Sequence, residues 1–417
     1  MNSTADLSSR QRASILFIAF AGLVGAGFQL GLMPLASLSI SRDLLAGAFA
    51  PGLAGDWFAR YTAAIMLGGA FGGIFIGSLG DRIGRARATG ISILLLSLAG
   101  AGGGFVTTQE QLLVLRFVAG LGGGGMWPNG VALVSECWTS ATRPMVAGVI
   151  GTGMNLGILC ISQLGRFHAV TADSWRWLME LGALFAVFGI VALTILPESP
   201  RWLASRGERT AKSEVPLREL LRPPLLRITI IGILLGSIPL IGAWAASKWM
   251  IPWADAIGGV ERPGYKASTQ GWWAIGAILG SFFGSQVASM IGRRLAYFLI
   301  SLGSVTLTCG IFLFVRPLDP LFLPLVLAQG FVTTLFFGWL PLSLPELFPT
   351  RVRATGTGLA YNTGRFVSAA GVIGAGAFMA WSGGDYAKVG AVTGLIYAVG
   401  MIVIWWAPDT SNKSLDD

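Results

Sequence analysis

The sequence predicts an all-α membrane protein in which twelve transmembrane helices form two parallel six-helix repeats. Three observations predict this class. Charged residues make up only 12% of the 417 residues, whereas soluble domains carry about 25%. Apolar residues make up 53% of the chain and gather in runs long enough to cross a bilayer. Short motifs of the first half also recur in the second half at a nearly constant offset.

Each predicted span is a run of roughly 20 predominantly apolar residues, the length that a helix needs to cross the hydrocarbon core. The first run is too long for the core of a signal peptide and lacks a small-residue cleavage site, so it is interpreted as a span. The twelve predicted spans are 14–40, 58–80, 88–107, 111–134, 145–168, 175–196, 228–253, 267–290, 295–316, 320–343, 354–380 and 386–407.

A polar stretch divides these spans into two sets of six. The predicted domains are an N-terminal six-helix bundle over 1–196, a cytoplasmic linker over 197–227 and a C-terminal six-helix bundle over 228–417. Eighteen of the 29 basic residues fall on the side of the two termini, nine fall on the opposite side, and Arg116 and Arg365 lie inside spans. This bias predicts cytoplasmic termini by the positive-inside rule.

The internal repeat is visible in three pairs of motifs whose offsets are 208, 210 and 211 positions. Each pair occupies the same place in the order of helices, as expected for two parallel repeats. The pairs are Ile83-Gly84-Arg85 with Ile291-Gly292-Arg293, Glu136 and Arg143 with Glu346 and Arg353, and Pro197-Glu198-Ser199 with Pro408-Asp409-Thr410.

Three motifs carry a resemblance to the major facilitator superfamily. Gly77–Arg85 (GSLGDRIGR) is similar to the superfamily signature between its second and third helices. Pro197–Leu203 (PESPRWL) resembles the sugar-porter and organic-ion-transporter branches, and Arg116–Asn129 (RFVAGLGGGGMWPN) resembles the aromatic-acid and metabolite proton symporters. The resemblance covers nearly the whole chain and implies a carrier in which two halves rock around a central cavity.

The resemblance also implies a gating role for charged residues at the cytoplasmic helix ends. Carboxylate–guanidinium pairs there can hold the two halves together on the inside, and the alternative is ordinary anchoring of helix ends. The second half has Ser289 and Met290 where Asp81 and Arg82 would fall, so a weaker contact is expected there. The candidate gating residues are Asp81, Arg82, Arg85, Glu136, Arg143, Glu198, Arg201, Glu346 and Arg353.

Arg365 is the main candidate for substrate binding. It lies eleven residues beyond Ala354, the start of the predicted span, and therefore roughly 16 Å into a hydrocarbon core of about 30 Å. No carboxylate lies within one helical turn of it in the sequence. An intramembrane guanidinium that faces water offers bidentate bonds to a carboxylate. Organic-anion carriers of similar sequence use an arginine in this helix, and the alternative is a structural arginine bonded to backbone carbonyls.

Further candidates for substrate binding are polar and aromatic residues on the helices that usually line the pathway. Taken singly, each is more often a packing residue or an inter-helix hydrogen bond. Lys248 is expected to extend to the outer interface, with a cationic cavity wall as the lesser alternative. Arg116 is expected to be structural, because the matching arginine of the superfamily bonds to a neighbouring helix. The candidates are Gln29, Asn129, Asn155, Gln163, Trp244, Lys248, Gln329, Tyr361 and Asn362.

Missing motifs argue against an enzyme. The sequence has no phosphate-binding G-x-x-x-x-G-K-[ST] loop, a single histidine (His168) and no cluster of metal ligands, so no cofactor or metal is predicted. Aromatic-acid proton symporters usually carry two acids in the first helix, and Ala26-Gly27-Phe28-Gln29 has neither. Uniport, anion exchange and symport with a proton on the substrate's own carboxylate therefore all remain open.

The sequence thus predicts a secondary active or facilitative transporter of a small organic anion, in particular a carboxylate, by alternating access. The excess of cations within the spans favours a negative substrate. The alternatives are a sugar, polyol or other neutral metabolite as cargo, and a non-transporting metabolite receptor. The expected partners are a small anionic substrate and the lipid bilayer, without nucleic acid. The expected form is a monomer in a bacterial inner (plasma) membrane.

Overall fold

The computed structural model describes residues 7–137, 143–205, 217–349 and 352–410. Within these ranges the regular secondary structure is entirely helical. The predicted all-α class is therefore confirmed. Twelve long helices account for most of the described chain, and two short helices, Pro200–Ser205 and Leu217–Leu220, stand between the sixth and the seventh.

The twelve long helices are numbered in chain order. They are α1 (Ser9–Leu45), α2 (Pro51–Ile83), α3 (Arg85–Gly102), α4 (Gln109–Cys137), α5 (Arg143–Phe167), α6 (Arg176–Thr194), α7 (Leu225–Gly258), α8 (Tyr265–Ile291), α9 (Arg293–Phe314), α10 (Phe322–Glu346), α11 (Arg353–Trp381) and α12 (Tyr386–Trp406).

Ten of these helices are both long and apolar enough to cross a membrane, among the residues that the structure describes. The other two, α4 and α5, contain 29 and 25 residues and so exceed the roughly 20 that a span requires. Several helices extend well beyond the predicted spans. The first, predicted over 14–40, contains 37 residues because the helix continues through the polar residues that flank its apolar run.

The chain forms two compact units, and each is assembled from separate segments. The first unit comprises Met1–Met33, Ala64–Ile161 and Val170–Ser213. The second comprises Pro34–Ala63, Ser162–Ala169 and Glu214–Asp417. The boundary between the units therefore runs through α1, α2 and α5. The predicted domain division at 196 and 228 stays a prediction.

Each unit has its own apolar core. In the first unit the core includes Ile15, Leu23, Ile93, Met126 and Ile150, from α1, α3, α4 and α5. In the second unit it is more aromatic. Tyr297, Phe336, Trp339 and Tyr397 are all at most 2% exposed, and Tyr297 packs edge-on against both Phe336 and Trp339.

Glycine brings one pair of helices in each unit into backbone contact. A Cβ atom added at Gly72 of α2 would lie 2.0 Å from the carbonyl oxygen of Leu121 in α4. In the second unit, Cβ atoms at Gly276, Gly280 and Gly284 of α8 would each lie 2.1 Å from a carbonyl oxygen of α10. These contacts leave no room for any side chain, which explains why glycine is common in helices that pack within membranes.

The turns between α2 and α3 and between α8 and α9 show the internal repeat directly. Gly84 has φ +111° and Gly292 has φ +89°, and each directly precedes the first residue of the following helix. Only glycine adopts these angles without steric cost. The recurring Ile-Gly-Arg motif thus places one arginine, Arg85 or Arg293, at the same position after the same turn in each repeat.

Candidate functional site

Four of the predicted gating residues of the first unit form one polar cluster around Arg85: Asp81, Arg85, Glu136 and Glu198. Its guanidinium contacts Asp81 at 2.7 Å and Glu136 at 3.7 Å. The Glu198 carboxylate accepts hydrogen bonds from the backbone N–H groups of Arg85 and Ala86, at 2.9 and 3.1 Å. A carboxylate is favourable there because it satisfies free N–H groups at a helix N-terminus.

The second unit has a similar cluster around Arg293. Arg293 donates to both oxygens of Glu346, at 3.1 and 3.0 Å. Thr410 donates to Glu346 at 2.7 Å, in the way that Ser199 donates to Glu136 in the first unit. Because Ser289 replaces the aspartate of the first cluster, Arg293 gives both donors to one carboxylate. The partner of Glu346 is thus an arginine that local sequence spacing did not indicate, although the Ile-Gly-Arg repeat carried the signal.

Four gating candidates have not yet been placed: Arg82, Arg353, Arg143 and Arg201. Arg82 is exposed, and Arg353 donates to the carbonyl oxygen of Phe348 at 3.4 Å. The side chains of Arg143 and Arg201 lie outside the described part of the structure. The gating role itself stays a prediction, and each of the two clusters is bonded within its own unit.

Two of the predicted cavity amides have structural partners in the first unit. Gln29 is 1% exposed and accepts from Arg116, whose guanidinium also donates to the Gln29 carbonyl oxygen, at 2.8 and 2.6 Å. Arg116 is itself 2% exposed, so this cation is buried with oxygen partners, as expected for a structural arginine. Asn129 is fully buried and donates to the carbonyl oxygens of Ile76 and Gly125, each at 2.9 Å.

In the second unit, Gln329 organises a buried polar network. Its side-chain oxygen accepts from the Trp273 indole at 2.9 Å, and its amide nitrogen donates to Thr308 at 3.0 Å and to Ser247. Ser247 in turn contacts the Tyr397 hydroxyl at 3.3 Å. Gln329 therefore ties α10 to α7, α8 and α9, and fixes the orientation of the Trp273 ring.

Lys248 is buried next to this network, and the expectation that it extends to the membrane surface is wrong. Its relative exposure is 0%. The ammonium nitrogen lies 3.1 Å from the centroid of the Trp273 ring and 5.7 Å from that of Trp244. Among the described residues it has no hydrogen-bond partner. Lys248 therefore lies against the rings of Trp273 and Trp244 and does not reach the surface.

The energetics of Lys248 are unfavourable for a purely structural role. Burial of an ammonium group costs several kcal/mol even after relaxation, whereas a desolvated cation–π contact returns about 2 kcal/mol. Intramembrane ionisable groups of this kind are functional-site candidates by default. Lys248 is therefore the described residue whose burial most needs a functional explanation.

The backbone of α7 is irregular where Lys248 lies. Gly242–Ala246 forms a π-helical turn and Ser247–Trp249 a 3-10 turn, with Ala246 at φ −121° and ψ −68° between them. Ser247 bonds back to the carbonyl oxygen of Gly242 at 3.1 Å. π-Helical turns occur frequently at functional sites because they place side chains that a regular helix would direct elsewhere.

A buried ion pair near the C-terminal end of α7 was not predicted from the sequence. Lys266 of α8 bonds to Asp255 of α7 at 2.9 Å and to Ser39 of α1 at 3.1 Å. Lys266 is 5% exposed, and its charge has a carboxylate partner. Asp255 and Lys266 fell just outside the predicted spans, so they were assigned to a loop, whereas α7 and α8 extend far enough to bury both.

Arg365 lies in the interior of α11 and is half-buried. Its guanidinium carbon is 5.0 Å from the centroid of the Tyr361 ring, one helical turn earlier. Tyr361 and Asn362 are half-buried as well, as are Trp244, Asn155 and Gln163. Arg365, Tyr361 and Asn362 thus share a stretch of α11 that is neither fully packed nor fully exposed.

Contacts between α7 and α11 give the axial position of Arg365 relative to Lys248. A Cβ atom at Gly364 would lie 3.3 Å from Ser237, and one at Gly371 would lie 3.3 Å from Ile241. The two helices therefore run in the same direction, with Arg365 level with Ser237. Lys248 is eleven residues further along α7, which corresponds to roughly 16 Å of helix axis at 1.5 Å per residue.

The comparison with protein families decides the class. The family model described as "Major Facilitator Superfamily" matches residues 14–372. The chain belongs to the Major Facilitator Superfamily. It is a multi-pass membrane transporter and not an enzyme, and the predicted twelve-helix fold agrees with this family.

Curated relatives and a solved structure are also similar to this chain. The chain is 28% identical to a probable 4-methylmuconolactone transporter of Cupriavidus pinatubonensis, over 84% of this chain and 81% of the relative. It is 26% identical to the cis,cis-muconate transport protein of Acinetobacter baylyi, over 88% of each. The inward-open structure of the E. coli xylose transporter XylE matches with a TM-score of 0.73 at 16% identity, over 97% of this chain and 98% of that one.

Proposed function

We propose that this member of the superfamily transports a small organic anion with a carboxylate group by alternating access, and that Arg365 binds the carboxylate. The half-buried guanidinium in the interior of α11 carries this proposal. Arginine presents a planar pair of donors that matches a carboxylate. The Tyr361 ring, 5.0 Å from the guanidinium carbon, orients this group.

The named substrates of the relatives support an unsaturated carboxylate as the cargo. A transport protein for cis,cis-muconate is similar over 88% of the chain, and muconate is a dicarboxylate with two conjugated double bonds. Half-buried aromatic residues such as Trp244 and Tyr361 suit such a π-system. A sugar is the weaker candidate, because Gln29, Asn129 and Gln329 already have partners within the protein.

The same proposal includes the remaining parts of the carrier. The termini are cytoplasmic, the membrane is a bacterial inner membrane, and one chain forms the transport unit. The Arg85–Glu136 and Arg293–Glu346 clusters gate the cytoplasmic side. Uniport, exchange and symport with a proton on the substrate are all compatible with Arg365 as the anion contact.

A ligand-stability screen with an Arg365→Ala variant tests the proposal. Detergent-purified protein is heated with cis,cis-muconate, benzoate, xylose or an organic cation, each at increasing concentration. A ligand at a hundred times its Kd stabilises the folded state by about 2.7 kcal/mol. We expect one of the carboxylates to stabilise the wild-type protein and to have no effect on Arg365→Ala.

The matched control is Arg316→Ala, which removes an exposed arginine that follows α9. This variant should respond to carboxylates as the wild type does. Stabilisation by xylose or the cation alone, with equal responses in the wild type and Arg365→Ala, would overturn the anion proposal and return Arg365 to a structural role.

A further inference from the structure

The buried ammonium of Lys248 has no role in binding at Arg365 as described so far. The two residues are separated along the α7–α11 pair by eleven residues, or roughly 16 Å. Lys248 lacks an oxygen partner among the described residues, whereas the buried cations Arg116 and Lys266 have such partners. An ammonium that contacts only aromatic faces has all its strong hydrogen-bonding capacity available for an anion.

We propose that Lys248 is a second anion-binding residue, which contacts the carboxylate of the cargo at a different stage of transport from Arg365. Along the α7–α11 pair, Lys248 lies nearer than Arg365 to Gly258, the C-terminal end of α7. This proposal rests on the proposed function, because it assumes that the cargo is an organic anion. With cytoplasmic termini, the Gly258 end of α7 is the outer end. Lys248 is therefore the contact for the outer stage and Arg365 the deeper contact.

The surroundings of Lys248 fit a site that is closed in this structure. The ammonium is fully buried, and Trp244, one turn earlier in α7, lies within 5.7 Å of it while remaining half-exposed itself. Alternating access requires contacts that serve one side of the membrane to be closed while the other side is open. A shift of the Trp244 ring is the smallest change that would admit an anion to Lys248.

The aromatic rings around Lys248 can then also contact the cargo. When a carboxylate bonds to the ammonium, a charge-assisted hydrogen bond replaces the contact with the rings. Trp244 and Trp273 can then pack against the unsaturated part of the anion, since π-systems stack favourably. The long, flexible lysine stem allows this exchange without movement of α8. Gln329 holds the Trp273 indole at 2.9 Å and so keeps this wall fixed throughout.

The test compares transport from the two faces of the membrane. Uptake of radiolabelled cis,cis-muconate is measured in right-side-out and inside-out membrane vesicles that contain wild-type protein, Lys248→Met or Arg365→Lys. For Lys248→Met we expect the half-saturating concentration at the outer face to rise at least tenfold. At the inner face it should stay within twofold of the wild-type value. Arg365→Lys should raise the half-saturating concentration at both faces.

Lys388→Met is the matched control, because Lys388 also lies over a tryptophan ring, that of Trp381, at 5.4 Å, but is exposed. It should leave both half-saturating concentrations unchanged. The thermal unfolding temperature of each purified variant shows whether it is folded. Lys248→Met should unfold at or above the wild-type temperature.

Two results would overturn the proposal and are distinct from each other. In the first, Lys248→Met has the wild-type half-saturating concentration at the outer face, or raises it equally at both faces, while Arg365→Lys behaves as expected. Lys248 then has no separate role, and the anion proposal survives. If the wild type transports neither muconate nor any carboxylate that stabilises it, the anion proposal fails first and the role of Lys248 fails with it.

Discussion

Two buried cations, one in each unit, are held in opposite ways. Arg116 is bonded to the side-chain and backbone oxygens of Gln29 at 2.8 and 2.6 Å. Lys248 lies against the ring of Trp273 and has no oxygen partner among the described residues. A buried charge whose hydrogen bonds are satisfied contributes to the fold. One that is left with aromatic contacts alone reduces stability and is available for a ligand. Burial alone therefore does not distinguish a structural cation from a functional one, whereas the hydrogen-bond partners of the cation do.

The largest expected effect comes from Arg116→Met, which removes the oxygen-bonded cation of this comparison. Hydrogen bonds to a charged group contribute about 1.5–3 kcal/mol each, and two are lost. We expect the free energy of unfolding to fall by about 3–6 kcal/mol, with poor yield of folded protein, as measured by denaturant unfolding in detergent. A loss below about 1 kcal/mol would show that the Arg116–Gln29 contact does not stabilise the fold.

Lys248→Met should have the opposite sign. Methionine fills a similar volume without a charge, so the cost of burying the ammonium disappears. We expect the unliganded protein to gain about 1–3 kcal/mol of unfolding free energy in the same assay. A loss of stability of the size expected for Arg116→Met would mean that the ammonium is structurally satisfied, and the contrast between the two cations would fail.

Gln329→Leu should lower the stability of the protein, and it sharpens the comparison at the wall behind Lys248. The substitution removes the acceptor of the Trp273 indole and the donor to Ser247 and Thr308. Each neutral hydrogen bond contributes about 0.5–1.5 kcal/mol, so the loss of three should lower the free energy of unfolding by about 1.5–4.5 kcal/mol. Trp273 fluorescence should also broaden as the ring loses its fixed orientation. An unchanged spectrum and stability would show that packing alone positions this ring.

The helices and the repeat could be predicted from the sequence because both depend on local patterns. Span length follows from the bilayer thickness, and the recurring motifs occupy equivalent places in the structure, down to the matching hydroxyl–carboxylate contacts of Ser199 and Thr410. The family resemblance predicted that Arg116 bonds to a neighbouring helix, and its bonds to Gln29 of α1 agree with this. Such features can be predicted from a short stretch of sequence, or from a comparison of one stretch with another.

Contacts between distant helices could not be predicted in the same way. Glu346 was paired with Arg353, seven residues away, whereas the structure shows its bonds to Arg293, 53 residues away. Lys248 was expected at the interface because tryptophans flank it in the sequence. The side chain is instead buried against Trp273, at the point where α7 changes from π-helical to 3-10 geometry. Local irregularities of this kind leave no clear pattern in a single sequence.

The glycine contacts between α8 and α10 have a consequence for the gene. Glycine codons begin with GG, so any change at their first or second base inserts a larger residue or a stop codon. At Gly276, Gly280 and Gly284 even a methyl group would overlap a carbonyl oxygen of the facing helix. Inactivating alleles should therefore occur at these three codons, which are spaced four apart. In a natural population these codons would be among the least variable in the gene.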